Sequence, residues 1–152
     1  MAGMLPAPQF NSSRSCLLSS LTSAAVKILG AAVAEIPEGL EWGVGSFLVR
    51  GTSTDPAHEA ESSFVLREKF VFIHALAPVA DKERLGESKD WTEGLFNKLK
   101  EAGLVKANYL PITAPDLDVK EAFTEDAFER LKILKKKVDP GNVFKHVPAQ
   151  LV

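Results

Sequence analysis

The sequence predicts an α+β domain in which helices cover an antiparallel β-sheet. The run Phe70 to Ala77 is apolar at both alternating sets of positions, which is typical of a strand covered on both faces. Amphipathic helical patterns with capping residues lie on either side of this run in the chain. The resulting order of helix, strands, helix, strand and helix is that of an α+β domain.

Length and composition favour one soluble globular domain. The chain has 152 residues, an apolar fraction of 45% and a charged fraction of 25%. A net charge of -2 argues against binding to nucleic acids or to anionic membranes. We expect residues 1–10 to form an extended arm and residues 11–152 to form a single α+β domain.

Cys16 is the only cysteine, so the chain can form no internal disulfide and has no C-x-x-C motif. Residues 16–34 look superficially like a signal-peptide core, but Lys27 interrupts them and only Arg14 precedes them as a positive charge. An amphipathic helix of the folded domain is therefore preferred. No apolar run is long enough to span a bilayer. These features together predict a cytoplasmic protein.

The first half of the chain predicts a helix, a strand and a loop. Cap residues at 11–13 precede helically spaced apolar residues that end near Gly30 or at Ile36-Pro37. Residues 39–50 alternate as a strand, with two glycines that a helix, or less readily a ligand, would approach closely. Residues 51–62 form a polar loop whose histidine and acids match no established metal-ligand spacing, so we expect no metal site.

The second half predicts two strands within residues 64–77, a helix capped by Asp90 and a short strand over residues 106–113. Gly103 is expected to end the capped helix. The last helix runs from Thr124 to Val138, with acids in its first turn and lysines in its last turn. The expected buried face of the capped helix comprises Trp91, Leu95, Leu99 and Ala102.

The last helix and the turn after it carry a family resemblance. Arg130-Leu131, Lys135, Val138-Asp139-Pro140 and Phe144 resemble the end of berberine-bridge-enzyme-like FAD-linked oxidases. The order of elements is similar to the C-terminal, substrate-binding half of that family, an antiparallel sheet covered by helices. The resemblance implies that Tyr109 lies on a strand that faces the substrate.

The departures from the family predict a different chemistry. Ala127 stands where the family has an asparagine that approaches the flavin, and the FAD-binding half has no counterpart in these 152 residues. No G-x-G-x-x-G or comparable glycine-rich loop is present. We therefore expect no cofactor and a stand-alone cyclase or isomerase that acts on a small natural-product intermediate in secondary metabolism. The alternatives are a non-catalytic pseudoenzyme or binding subunit that pairs with itself or with a flavoprotein, and a split half that completes a flavin site with another polypeptide.

Candidate site residues follow from residue type and position. His74 on the apolar strand is a candidate general base, and Tyr109 is the second catalytic candidate. Trp42, Ser46 and Phe72 are candidates for substrate binding, although alternating aromatic residues in strands are more often core. The expected partners are a small organic substrate and a second copy of the chain in a homodimer.

Overall fold

The computed structural model describes residues 10–40, 43–49, 68–109, 120 and 123–145. Four strands and three α-helices lie within these ranges, and the 3₁₀ turn Lys82–Arg84 precedes the second helix. In chain order, the elements are β1 (Phe10–Leu18), α1 (Ser23–Ala34), β2 (Val44–Val49), β3 (Phe70–Val79), α2 (Leu85–Glu101), β4 (Val105–Asn108) and α3 (Glu125–Val138).

The described strands form one antiparallel sheet with the order β2-β3-β1-β4. β1 and β3 are its central strands and pair from Phe10 opposite Val79 to Leu18 opposite Val71. Side chains alternate between the two faces of a strand. Most residues of β3 are buried at both sets of positions, which explains why both sets are apolar. The predicted α+β class with an antiparallel sheet is confirmed.

Helices α1 and α2 cover one face of the sheet and enclose the main core. Trp91 of α2 donates a hydrogen bond from Nε1 to the carbonyl oxygen of Ala32 in α1, at 2.9 Å. This bond holds the two helices together above the strands. The buried members of this core are Cys16, Leu18, Ala25, Ala32, Val71, Ile73, Ala75, Leu95 and Leu99.

Buried hydroxyl groups join α2 to the sheet. Ser88 donates a hydrogen bond to the carbonyl oxygen of Ala77 and accepts one from the backbone N–H of Ser12 at 3.0 Å. The hydroxyls of Ser12 and Thr92 share a hydrogen bond of 2.7 Å. Because these polar groups are satisfied only in one arrangement, they fix where α2 lies along the strands.

The prediction of one helix starting near Ser13 is wrong for the first part of that segment. Residues 10–18 form the central strand β1, and the helix begins only after Thr22, whose hydroxyl accepts a hydrogen bond from the N–H of Ala25 at 3.1 Å. Leu17 and Leu18 are buried on opposite faces of the sheet, which a helix would not allow. The spacing of Leu17 and Leu21 matched a helical repeat by coincidence, since Leu21 is exposed.

The predicted start of α2 is also wrong. Asp90 lies inside the helix, which begins at Leu85, and Asp81 instead caps the preceding turn by accepting a bond from the N–H of Glu83 at 3.0 Å. On the predicted buried face, Leu95 and Leu99 are buried, Trp91 is half-buried and Ala102 is exposed. Ala102 is exposed because it already lies at the C-terminal cap.

Other predicted boundaries hold within the described ranges. Gly103 ends α2 with a φ of +65°, the left-handed conformation that glycine tolerates best. In α3, Thr124 is the N-cap and accepts a hydrogen bond from the N–H of Ala127 at 3.3 Å. Predictions for residues 1–9, 50–67 and 110–119 lie outside the described residues. Within the described ranges, none of the helices combines the length and apolar composition required to cross a bilayer.

Candidate functional site

The face of the sheet that α1 and α2 do not cover is called the second face. The register places Ser13, Ser15 and Leu17 of β1 opposite Leu76, His74 and Phe72 of β3. Since Cys16, Leu18 and Ile73 pack towards the helices, the alternate residues point the other way. The second face comprises Ser13, Ser15, Leu17, Gly45, Phe47, Val49, Phe70, Phe72, His74, Leu76 and Ala107, with Tyr109 beside it.

His74 is the titratable group that the described strands place on this face. Its Nε2 lies 2.8 Å from the hydroxyl oxygen of Ser13, within hydrogen-bonding distance. The imidazole is half-buried, and this burial lowers its pKa from the ordinary value of 6.5. The ring is therefore neutral at physiological pH and can accept a proton.

Four rings surround the middle of the second face. The centroid of Phe72 lies 5.0 Å from Tyr109 in an edge-to-face contact, 5.9 Å from Phe47 and 6.1 Å from His74. Phe72 is 9% exposed, whereas Phe47 is 61% exposed. Phe72 therefore supports the other rings from below, and Phe47 is the aromatic surface open to a ligand.

Gly45 of β2 leaves a gap beside His74, its partner across the strands. A Cβ atom at Gly45 would lie 3.8 Å from the ring of Phe47 and 3.9 Å from the carbonyl oxygen of His74, which are ordinary van der Waals distances, so the described residues leave room for a methyl group there. The sequence favours a closely packed helix as the explanation for this glycine. Neither α1 nor α2 is that helix, because Gly45 lies on the face away from both of them.

Tyr109 follows β4, and its backbone is tied to β1. The hydroxyl of Ser15 donates a hydrogen bond to the carbonyl oxygen of Tyr109 at 3.2 Å. The phenol ring is half-buried and packs on Phe72. The structure thus brings Tyr109 into the same aromatic cluster as His74, through Phe72.

The structure gathers some predicted site residues and separates others. His74, Tyr109 and Phe72 lie together, as described above. Ser46 is paired with Ile73, so it lies on the opposite face, and its side chain is exposed. Trp42 lies outside the described residues.

Sequence reasoning missed Ser13 and Phe47. Ser13 had been assigned to a helix cap, so its alternation with Ser15 and Leu17 was not interpreted as a strand pattern. Phe47 lies within the strand predicted over residues 39–50, and the alternation of that strand does not mark it as a site residue. In both cases, the missing information was the pairing register with β3, since Phe47 is opposite Phe72 and Ser13 is diagonal to His74.

Other chemistry is limited in the described part of the chain. No group of three or more His, Cys, Asp or Glu side chains is arranged to hold a metal ion among these residues. Cys16 points into the core under the helices, and burial raises the pKa of its thiol to about 12. A thiol with so high a pKa is a poor nucleophile.

A flavin is the cofactor that the family resemblance implies, and the N-termini of α2 and α3 do not fit its diphosphate. A flavin diphosphate is commonly held at the positive N-terminus of a helix. The first turn of α3 carries Glu125 and Asp126, and that of α2 carries Glu87. These carboxylates would repel a diphosphate at the N-termini of α2 and α3, whereas the first turn of α1 carries no acid.

Comparison with known proteins shows which proteins this chain resembles in sequence and in fold. Residues 107–149 match the family model described as berberine and berberine like. The FAD-linked oxidoreductase aurO of Gibberella zeae is 24% identical over 140 residues, which cover 91% of this chain and 27% of that protein. A solved structure of a cysteine-to-alanine variant of berberine bridge enzyme matches with a TM-score of 0.71 at 16% identity, over 93% of this chain and 33% of that chain. The chain thus spans about a third or less of the length of both relatives and shares the fold of the solved one.

Proposed function

We propose that this chain, which resembles the C-terminal half of the berberine-bridge-enzyme-like FAD-linked oxidases, is a cofactor-free isomerase or cyclase of a small organic molecule. The observation that carries the proposal is the half-buried imidazole of His74 on an aromatic face, beside the gap at Gly45. An apolar surface with a few convergent polar groups is typical of small-molecule sites. The similarity to berberine bridge enzyme and to the FAD-linked oxidoreductase aurO supports the proposal of a substrate from secondary metabolism.

The proposed step is a proton transfer next to a carbonyl group. A nitrogen of His74 takes a proton from the C–H adjacent to the carbonyl, and the electron pair of that bond forms an enolate. The imidazolium then returns the proton to a different carbon of the same conjugated system. Alternatively, the enolate carbon attacks a second carbonyl group of the same molecule, the π bond of that carbonyl opens to an alkoxide, and the imidazolium protonates the alkoxide. Both outcomes are redox-neutral, so neither needs an oxidant or a reductant.

Tyr109 is proposed to stabilise the enolate. Its phenol can donate a hydrogen bond to the oxygen that becomes negative during the reaction. Phe47 provides an exposed ring on which a flat substrate can stack, and Phe72 keeps the ring of Tyr109 in place. Substrate binding is thus assigned to Phe47 and the gap at Gly45, and proton transfer is assigned to His74.

The proton transfer can be tested with β-tetralone, an aromatic ketone with an acidic C–H. The wild-type protein should speed the exchange of this C–H in deuterated water, measured by NMR against buffer. His74→Ala should slow the exchange by about a hundredfold, the lower end for loss of a general base. Tyr109→Phe should slow it by about tenfold, because one hydrogen bond to the enolate is lost.

A matched control uses the neighbour of Phe47. Phe47 and Leu48 are both exposed, but they lie on opposite faces of β2. Phe47→Ala should weaken binding of β-tetralone, whereas Leu48→Ala should leave exchange at the wild-type rate. Wild-type exchange in His74→Ala would refute the proposed chemistry.

The alternative is a non-catalytic subunit that pairs with itself or with a flavoprotein. One observation favours it: Val138, Val143 and Phe144, at the end of α3, are 67%, 74% and 73% exposed. Exposed apolar groups that lie together are often covered by a partner. If a homodimer forms through them, Phe144→Ser should convert it to a monomer in analytical ultracentrifugation. A protein that is monomeric at micromolar concentration and carries out the exchange would exclude this alternative.

A further inference from the structure

We infer that Ser13 is a positioning residue for His74. Its hydroxyl oxygen accepts a hydrogen bond from Nε2–H and leaves Nδ1 as the nitrogen that receives the substrate proton. This inference rests on the proposed proton transfer by His74 and assigns a residue that the family resemblance does not point to. The contact that carries it is the 2.8 Å distance between the Ser13 oxygen and Nε2.

The contact is built into the centre of the sheet. β1 and β3 are neighbours in the middle of the strand order, and Ser13 is paired with Leu76 while His74 is paired with Ser15. Ser13 and His74 are therefore diagonal neighbours on one face, a distance that a histidine ring can bridge. Because the backbone hydrogen bonds of two central strands hold both residues, the ring is fixed at its Nε2 end.

The hydroxyl suits both protonation states of the ring. A neutral imidazole has one N–H, and we assign it to Nε2, where the Ser13 oxygen accepts its hydrogen bond. Once Nδ1 takes a proton, Nε2 must carry N–H, and only an accepting partner then satisfies it. The Ser13 oxygen accepts that bond, and hydrogen bonds to a charged group are stronger than those between neutral groups.

The surroundings of the imidazole strengthen the role of this bond. The described neighbours on the second face are uncharged, namely Ser13, Ser15, Gly45 and Phe72. Arg14 is paired across the strands with Ala75, and its ion pair with Glu93 of α2, at 2.6 Å, lies on the helix-covered face. Among the described residues of the second face there is no carboxylate, and the Ser13 hydroxyl lies within hydrogen-bonding distance of the ring.

The first test measures the tautomer without any substrate. The two imidazole nitrogens of a single tautomer give separate ¹⁵N signals, one typical of N–H and one of a lone pair. In the full wild-type chain at a pH above the pKa of His74, we expect the N–H signal at Nε2. Ser13→Ala should move both signals towards each other as two tautomers mix, and it should lower the pKa of His74 further because the imidazolium loses its acceptor.

Ser12→Ala is the matched control. Ser12 is adjacent in sequence and bonds to Thr92 on the opposite face, so its loss also removes a cross-element hydrogen bond. It should lower thermal stability and leave the nitrogen signals of His74 unchanged. Threonine and valine side chains have nearly equal shapes, and both residues suit a strand. Ser13→Thr and Ser13→Val therefore form a second matched pair. The threonine should keep the wild-type signals and the valine should mix them, which separates loss of the hydroxyl from loss of folding.

The second test uses β-tetralone exchange and separates kcat from KM. Ser13→Ala should lower kcat by about tenfold or more and change KM by less than about twofold, since the hydroxyl acts on the imidazolium rather than on the substrate. Ser13→Thr should restore most of kcat. An Nδ1–H signal in the wild type, or identical signals in the wild type and Ser13→Ala, would overturn the role of Ser13. Loss of the Nε2–H tautomer in Ser13→Ala without any effect of His74→Ala on exchange would instead overturn only the proposed function.

Discussion

Asp139 and Lys135 form an ion pair that closes the last turn of α3, with only 7% and 12% of their side chains exposed. The carboxylate of Asp139 also accepts hydrogen bonds from the backbone N–H groups of Val143 at 2.8 Å and Phe144 at 3.1 Å. Lys135 donates a second hydrogen bond to the carbonyl oxygen of Phe144 at 3.0 Å. The pair therefore fixes the chain that follows the helix as well as the helix end itself.

The first prediction is that Asp139→Asn lowers the melting temperature most near neutral pH. The hydrogen bond from Lys135 holds the pKa of Asp139 below its ordinary value of 3.8. A depressed pKa stabilises the fold above the ordinary value, and that contribution is lost as the pH falls through the folded-state pKa. Thermal melts of both proteins should therefore differ at pH 7 and converge in acid.

Glu129→Gln is the control for this prediction. Glu129 pairs with Lys132 at 2.8 Å on the exposed side of α3, where an ion pair contributes little. Its melting temperature should stay near that of the wild type at every pH. A difference between the wild type and Asp139→Asn that does not change with pH would show that the charge of Asp139 is unimportant.

Local signals explain why α3 could be predicted from sequence and β1 could not. Thr124, the acids after it, the lysines and Pro140 all lie within or next to the helix they define. β1 is defined instead by pairing with β3, where Ser13 meets His74 61 positions away in the chain. A serine-rich segment without a turn signal carries no local mark of that pairing, so the residues beside His74 could not be derived.

The second prediction contrasts Gly94, which lies inside α2, with Gly103, which follows the end of that helix. Gly103 has a φ of +65°, whereas Gly94 lies inside the helix with open space where a Cβ would be. Gly94→Ala should raise the free energy of unfolding by about 0.5–1 kcal/mol, because alanine favours helix more than glycine does. Gly103→Ala should lower it by about 1 kcal/mol, because a side chain is strained in the left-handed region. Urea unfolding measures both, and a shift of the same sign in the two variants would contradict the assigned backbone.

The third prediction concerns the buried hydroxyl of Ser88. Ser88→Ala leaves the N–H of Ser12 and the carbonyl oxygen of Ala77 without the bonds described above. An unsatisfied buried polar group costs about 1–3 kcal/mol, so the free energy of unfolding should fall by that amount. Ser20→Ala, at an exposed position between β1 and α1, should change it by less than about 0.5 kcal/mol. Equal effects of the two variants in urea unfolding would argue against the hydrogen bonds by which Ser88 joins α2 to the sheet.

The fourth prediction is a pH dependence that originates at His74. Burial lowers its pKa below 6.5 in the folded state, so the unfolded chain binds the proton more readily. Stability from this residue is therefore complete above pH 6.5 and is lost as the pH falls towards the folded-state pKa. His74→Gln should flatten the decrease in urea midpoint over this range. If the urea midpoints of the wild type and His74→Gln decrease in parallel as the pH falls, the pH dependence originates at a group other than His74.

The fifth prediction uses Cys16 as a reporter of opening of the core. The side chain is 0% exposed on a central strand, and burial raises the pKa of its thiol to about 12. The thiolate is the reactive form, so a thiol reagent such as dithiobisnitrobenzoate should label the native protein only through opening of the sheet.

Labelling of Cys16 should therefore follow global stability. Leu99→Ala removes a fully buried side chain from the same core and should cost about 2–5 kcal/mol, which would speed labelling by about thirtyfold or more when opening is in rapid equilibrium. Leu134→Ala on the exposed side of α3 serves as the control and should leave the labelling rate close to that of the wild type. Rapid labelling of the wild type, at the rate of a free thiol, would mean that α1 and α2 do not seal this face of the sheet.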